Sequence, residues 1–266
     1  SIRRQRQMCI RDSRHTARFG IAVRHRPSRI AGITDTALDY DVNVRITNNR
    51  CEDTGGSCVL MNGIWQGLLE GNSFIRSGAM GEPSLSVNRG SGAWFFRSKH
   101  IVAQYNSALG SRGHNDSAGM HVDFANENIL VQYNFSYDNE GYGTEILGKN
   151  KNIIWRYNIS VADGTRKINV PRPEGRKSIY PGKTIFVSDF SVPKRIQSRE
   201  VAIYNNTYLI ASASDPHIEF NAGQLQVLNN LFVVEEGGRL AKKLNVAWEQ
   251  GDGLDMRGKS IIGNVS

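Results

Sequence analysis

Six hexapeptides along the chain run apolar–x–apolar–x and close on asparagine. They are VRITNN (44–49), IVAQYN (101–106), ILVQYN (129–134), IIWRYN (153–158), VAIYNN (201–206) and LQVLNN (225–230). Weaker copies end at Asn72 (GLLEGN) and Asn264 (SIIGN). The closing asparagines are spaced by 23, 34, 28, 24, 48, 24 and 34 residues. A base period near 24, one doubled gap and loop insertions for the other excesses define a repeat architecture. Alternation with period two means strand rather than helix. A strand-only repeat of this length fits one coil of a parallel β-helix, with two or three strands per coil stacked about 4.8 Å apart. In such a coil the asparagine has a structural task. Its amide hydrogen-bonds the equivalent residue one coil away, and it tolerates left-handed backbone. The apolar residues before it point inward. The glycosylation-like triplets at Asn134, Asn158 and beside Asn206 are read as by-products of this ladder.

Composition narrows the class. With 39% hydrophobic residues the chain can build a core, and 23 Asn with 27 Gly among 266 residues make it turn-rich. Three cysteines exclude a disulfide scaffold, while Cys51 and Cys58 either bridge a short loop (CEDTGGSC) or stay reduced. No window approaches eighteen apolar residues, so no membrane span is expected. The net charge is +8, of which residues 1–14 (SIRRQRQMCIRDSR) carry +4 without apolar periodicity. The string MCIRDS resembles translated adapter sequence. Residues 1–14 are therefore set aside as a non-native tail, and 15–266 are expected to form the β-helix. The remaining charge, with no zinc-finger, helix-turn-helix or RNA-recognition motif, gives no reason to expect a nucleic-acid partner. A coil left open exposes core and strand edges, and the chain stops two residues past a repeat asparagine. The expectation is an all-β, single-stranded β-helix incomplete at both ends, monomeric and part of a longer chain.

Counting back from the closing asparagines aligns chemistry. Thirteen residues before Asn134, Asn158 and Asn230 stand His121, Glu145 and His217; eleven before Asn134 and Asn230 stand Asp123 and Glu219. Val122, Phe124, Ile146, Ile218 and Phe220 take the inward parity, and the five polar residues the outward one. AWFFRS places Arg97 outward on the same sheet, given a loop for its extra residues. Carboxylates gathered on adjacent coils repel one another and raise at least one proton affinity, the arrangement that paired acid and nucleophile chemistry needs. Asp123 and Glu145, one coil and two residues apart, have Cα atoms about 8 Å apart. Leaning side chains would bring the carboxyls to about 5–6 Å, and splayed ones would suit an inverting reaction. A solvated polar face is the alternative.

The segment HVDFANENILVQYNFSYDNEGYGTEI (121–146) resembles the active coil pair of β-helix glycoside hydrolases of the β-xylosidase type, and the whole chain more loosely resembles the pectate-lyase-like superfamily. The resemblance implies a right-handed coil. It matches Asp123 to the family's nucleophile, Glu145 to its acid/base and Asp138-Asn139 to its turn. His121 stands where that family has an apolar residue, and the turn before Glu145 is shorter by about a residue. The implied function is a glycoside hydrolase on plant or algal oligo- or polysaccharides, extracellular or periplasmic, although no leader is visible. His121 would tune Glu145 or bind a sugar hydroxyl. Arg97, His217, Glu219, Asp138, Glu140, Tyr142, Arg166 and Lys167 would contact substrate. Two alternatives stay open. One is a lyase or epimerase on uronic polymers, with Arg97, Arg166, Lys167 and His121 as actors; the other is a non-catalytic glycan-binding β-helix.

The doubled gap contains TRKINVPRPEGRKSIYPGK (165–183), whose six cations, one acid and three prolines read as a basic inserted loop. It contacts a carboxylated or sulfated sugar or is simply solvated. Trp94, Phe95, Tyr142 and Tyr180 are candidate sugar platforms, Phe95 by outward parity and Tyr142 by its place in a turn. His114, Asn115 and Asp116 lie in a loop that would help line the cleft. No cofactor is expected, with a calcium site from Asp138, Glu140 and Asp163 left open.

Overall fold

The alternating runs become strands that repeat in a fixed order around three parallel sheets. The computed structural model describes residues 6–8, 12–25, 40–80, 89–170, 177–178, 180–189, 196–246 and 260–262. Among them every regular element is a β-strand. Successive strands go to the first, second and third sheet in turn, giving sheets of nine, eight and eight strands. This is a right-handed parallel β-helix. The first coil begins earlier than expected: Arg6–Met8 and Asp12–Arg14, within the segment set aside as a tail, pair with Asp41–Thr47 and Arg50–Thr54.

Inward residues stack into columns because parallel register puts like positions over one another. Ile101, Ile129, Ile153, Val201 and Leu225 form one such column on the first sheet. Phe95, Val122, Ile146, Val187 and Phe220 form another on the third. All belong to a single buried cluster. Val122, Ile146, Ile218 and Phe220 therefore have the inward parity expected. Phe124 does not: it leaves the strand, packs 6.2 Å from Phe96 and lies under Lys149. Cys51 and Cys58 are bridged, with Cα atoms 5.8 Å apart.

The asparagine ladder runs along the corner between the first and second sheets. Asn72, Asn106, Asn134 and Asn158 each donate backbone N–H and Nδ2 to the Oδ1 of the next rung, at 2.9–3.0 Å. Asn158 bonds directly to Asn206. The doubled gap is thus one coil carrying insertions, not two coils. The left-handed residue is not the asparagine but its predecessor: Tyr105, Tyr133, Tyr157 and Asn205 have φ of 54–56°. Their φ turns the chain, and the asparagine after them staples the turn. Asn264 lies outside the described residues. Two shorter ladders serve the other corners, one through Ser98, Asn126 and Asn150, the other through Ser111, Asn139 and Asp163.

Candidate active site

The outer face of the third sheet carries a cluster of titratable side chains. His121 on Met120–Val122 stands in register with Glu145 on Tyr142–Ile146; Glu145 aligns with Phe186 on Lys183–Ser188, and Phe186 with Glu219 on His217–Asn221. His121 and Glu145 are thus neighbours, as their equal distance from the ladder implies. The third expected partner is displaced. Glu219, not His217, continues this row, because the turn after it is two residues shorter than the turns after His121 and Glu145. His217 aligns with Lys183 and lies outside the cleft lining.

The cleft above this row has a volume of about 620 Å³. Asp116, His121, Asp123 and Glu145 line one part of it; Tyr142, Tyr180, Lys183, Phe186 and Glu219 line another. His121 and Glu145 are 1% exposed. His121 Nδ1 lies 3.5 Å from Glu145 Oε2 and its Nε2 3.9 Å from Asp123 Oδ1. Neither ring nitrogen makes a hydrogen bond, nor does Glu145 Oε2. Trp94 braces this group from the preceding coil. Its ring stacks on His121 at 5.6 Å and 3°, and its Nε1 donates to Asp123 Oδ2 at 2.7 Å. Trp94 is therefore the outward aromatic of its strand, whereas Phe95, expected outward, is fully buried in the core. The parity slips because Arg97 takes φ 48° and lies in the turn beyond the strand. Arg97 is not part of the cleft lining.

Burial dominates the electrostatics. It pushes the Glu145 carboxyl well above the usual carboxylate range; Asp116 and Asp123 push the same way, Arg166 and Lys183 oppose. Burial also raises Asp123, against the nearby His121 and the Trp94 hydrogen bond. The Lys183 ammonium is lowered by burial, opposed by its pair with Glu219 at 3.3 Å, and it sits 3.5 Å above the Phe186 ring.

The inserted loop contributes a clamp. Arg166 is 3% exposed; it donates to the carbonyls of Gly113, Asn115, Asp116 and Tyr180 and to the Tyr142 hydroxyl. Its donors are spent on holding the 113–116 loop against the sheet. That loop fits because residue 141 is glycine: a Cβ there would lie 2.3 Å from the Asp116 carbonyl oxygen. Lys167 is exposed and outside the lining. Tyr142 is a buried strand residue rather than a turn residue, and its ring packs 4.8 Å from Phe186.

Asp138, Glu140 and Asp163 spend their oxygens separately. Asp138 pairs with Arg112 at 2.5 Å, Glu140 accepts the Gly113 N–H at 3.3 Å, and Asp163 is a rung of the third ladder. None of the three is in the cleft lining. Among the described residues the donor set that converges closely enough for one cation is Asp116, His121 and Glu145, whose atoms lie within 4.8 Å of one another. Sequence reasoning missed Lys183 and Phe186 as strand residues, although KTIFVS after Pro181-Gly182 alternates like the other strands.

No protein-family model matches the chain, and no curated protein matches it. Among solved structures it is similar to the GH136 lacto-N-biosidase from Eubacterium ramulus. The selenomethionine derivative matches with TM-score 0.44 and the native protein with 0.41, each at 15% identity. Both matches cover 84% of this chain and 28% of that one, so the chain spans little more than a quarter of that enzyme's length.

Proposed function

We propose that the protein is a glycoside hydrolase that cleaves oligosaccharides in the cleft of the third sheet. The observation that carries this reading is the row of His121 and Glu145 facing a cleft of about 620 Å³, with Asp116 and Asp123 beside them. Glu145 donates a proton to the departing glycosidic oxygen. Asp123, oriented by Trp94, attacks the anomeric carbon, and water then releases the sugar from the ester so formed, with Glu145 taking back its proton. Asp116 is a third carboxylate at the same point and competes with Asp123 for the nucleophilic role. Tyr180 and Phe186 offer ring surface to the sugar. Among the described residues the cations that line the cleft are engaged, Lys183 with Glu219 at 3.3 Å and Arg89 with Asp116 at 3.8 Å. Arg97 and Lys167 lie outside it. That disposition favours hydrolysis of an uncharged sugar over elimination from a uronate, which needs free cations for its carboxylate. The Cys51–Cys58 bridge supports an extracellular or periplasmic setting.

A panel of aryl glycosides and plant and algal oligosaccharides tests the reading. Turnover should fall by about 10²–10⁴-fold in Glu145→Gln. Of Asp123→Asn and Asp116→Asn, the one lacking the nucleophile should form a glycosyl azide when azide is supplied. Unchanged turnover in Glu145→Gln, or an unsaturated product absorbing in the ultraviolet, would remove the assignment.

A further inference from the structure

We propose that Asp116, His121 and Glu145 form a seat for one divalent transition-metal ion of the Zn²⁺ type, and that the ion, by taking Glu145, blocks the hydrolysis inferred above. The second clause rests on that reading; the seat itself does not.

Three observations converge on the seat. The first is distance. Two ligands of a tetrahedral ion with bonds of about 2.0 Å lie about 3.3 Å apart. His121 Nδ1 and Glu145 Oε2 are 3.5 Å apart without forming a hydrogen bond, and an Asp116 oxygen completes a group within 4.8 Å. The second is unmet bonding capacity. Both side chains are 99% removed from solvent, yet both ring nitrogens and Glu145 Oε2 lack a hydrogen-bond partner. Buried polar atoms are rarely left so, and a cation satisfies a nitrogen and an oxygen at one point. The third is the surrounding support. A metal-bound imidazole usually donates its other N–H to a carboxylate, a carbonyl or a water; here the Asp123 carboxylate, fixed through Oδ2 by Trp94, stands with Oδ1 3.9 Å from His121 Nε2, one short shift from that role. Arg166 grips the backbone that carries Asp116. The mixed set of one imidazole and two carboxylates selects Zn²⁺, Co²⁺ or Mn²⁺ over Ca²⁺, which prefers an oxygen shell. Two carboxylates balance the ion's charge, and all three ligands line the cleft.

The test is direct binding without sugar, on the full chain free of any polyhistidine tag and with Cys9→Ser to remove the thiol left outside the disulfide. Calorimetry with Zn²⁺ should give one ion per chain in the micromolar range. Co²⁺ should develop the intense visible bands of a four-coordinate site. Asp116→Asn and Glu145→Gln should each weaken binding by more than about tenfold, since even outer-shell partners are worth about 10–100-fold. His121→Asn should abolish the bands, and Asp138→Asn should leave them intact. If His121→Asn fails to fold, the two carboxylate variants still decide. No saturable site, or equal binding by those two variants, overturns the seat. Zn²⁺ should also stop turnover in the wild-type protein, with recovery on chelation. Full turnover with the ion bound overturns the blocking role, and binding by a protein without glycosidase activity leaves the seat standing while the hydrolase reading falls.

Discussion

The ladder corner and the outer face of the third sheet are both lined with buried polar side chains, and they treat them in opposite ways. Along the corner, Asn134 shows the rule. Its Oδ1 accepts from Asn106 N–H and Nδ2, while its own N–H and Nδ2 donate to Asn158 Oδ1 and Nδ2 also donates to the Ala103 carbonyl. On the third sheet, His121 and Glu145 are as deeply buried but keep atoms without partners. A satisfied buried network stabilises and specifies; an unsatisfied one costs free energy. The same coil therefore satisfies its buried polar groups at one corner and leaves them unmet on another face. Such a cost is commonly met at functional sites.

Two substitutions should separate these regions most sharply. Glu145→Gln is expected to lose about 10²–10⁴-fold in turnover while melting no lower than the wild-type protein, because it removes a buried carboxyl that lacks a full set of partners. Asn134→Ala should do the reverse. It strands the Asn106 N–H, whose acceptor is Asn134 Oδ1, and removes the Nδ2 bonds to Asn158 and Ala103; the cost should be about 2–4 kcal/mol, from about 1–3 kcal/mol for a buried group left unpaired and about 1 kcal/mol for the bonds lost. The folded fraction should keep its turnover. Denaturant unfolding and kinetics on the same samples read both, and a Glu145→Gln protein destabilised as much as Asn134→Ala would erase the contrast.

This contrast explains what could be read in advance. The ladder was legible because hydrogen-bonded rungs demand one residue type at one position, and the apolar columns because inward parity repeats. His121 and Glu145 fell into register because both lie thirteen residues before a rung with no insertion between. His217 did not, since the turn between Asn221 and Leu225 is shorter and nothing in its composition marks the loss. Phe95 and Trp94 exchanged faces because the left-handed residue at Arg97 ends the alternation from which parity was counted. Asp116 and Arg166 sit in loops, where no period exists. Their placement follows from a contact across coils, which Gly141 permits and Arg166 secures.

The third ladder offers a finer probe, because its rung is an acid. Burial pushes the Asp163 carboxyl up to about 6, against donors from Ser136, Ser160 and Asn139. The folded state thus holds the proton more tightly than the unfolded chain. The stability contributed by the protonated form is complete below the unfolded value near 3.8 and is lost as pH rises through 6. Asp163→Asn keeps an acceptor for Asn139 and does not titrate. The difference in stability between wild type and variant should shift toward the variant between about pH 4 and 6, by no more than about 1.4 kcal/mol per pH unit. A difference that stays flat across that range would mean that the carboxyl is ionised throughout, its donors outweighing its burial.

The smallest expected effect is on the solvent side of the ladder. Tyr105, Tyr133 and Tyr157 stack at 5.3 Å with planes within 8°, each just before its rung. The stack stabilises the corner, but each tyrosine bears a left-handed φ. Tyr133→Ala removes the ring contacts and keeps the strained backbone, so it should cost about 0.5–1.5 kcal/mol for the stacking lost. Tyr133→Gly loses the same contacts but relieves about 1–2 kcal/mol of left-handed strain. Against this stands about 0.4–1 kcal/mol for the freer unfolded chain. Glycine should therefore be no worse than alanine here, the opposite of its usual rank within strands. If denaturant unfolding finds Tyr133→Gly clearly less stable than Tyr133→Ala, the residue before each rung is not the hinge of the turn, and the corner's order comes from the asparagines alone.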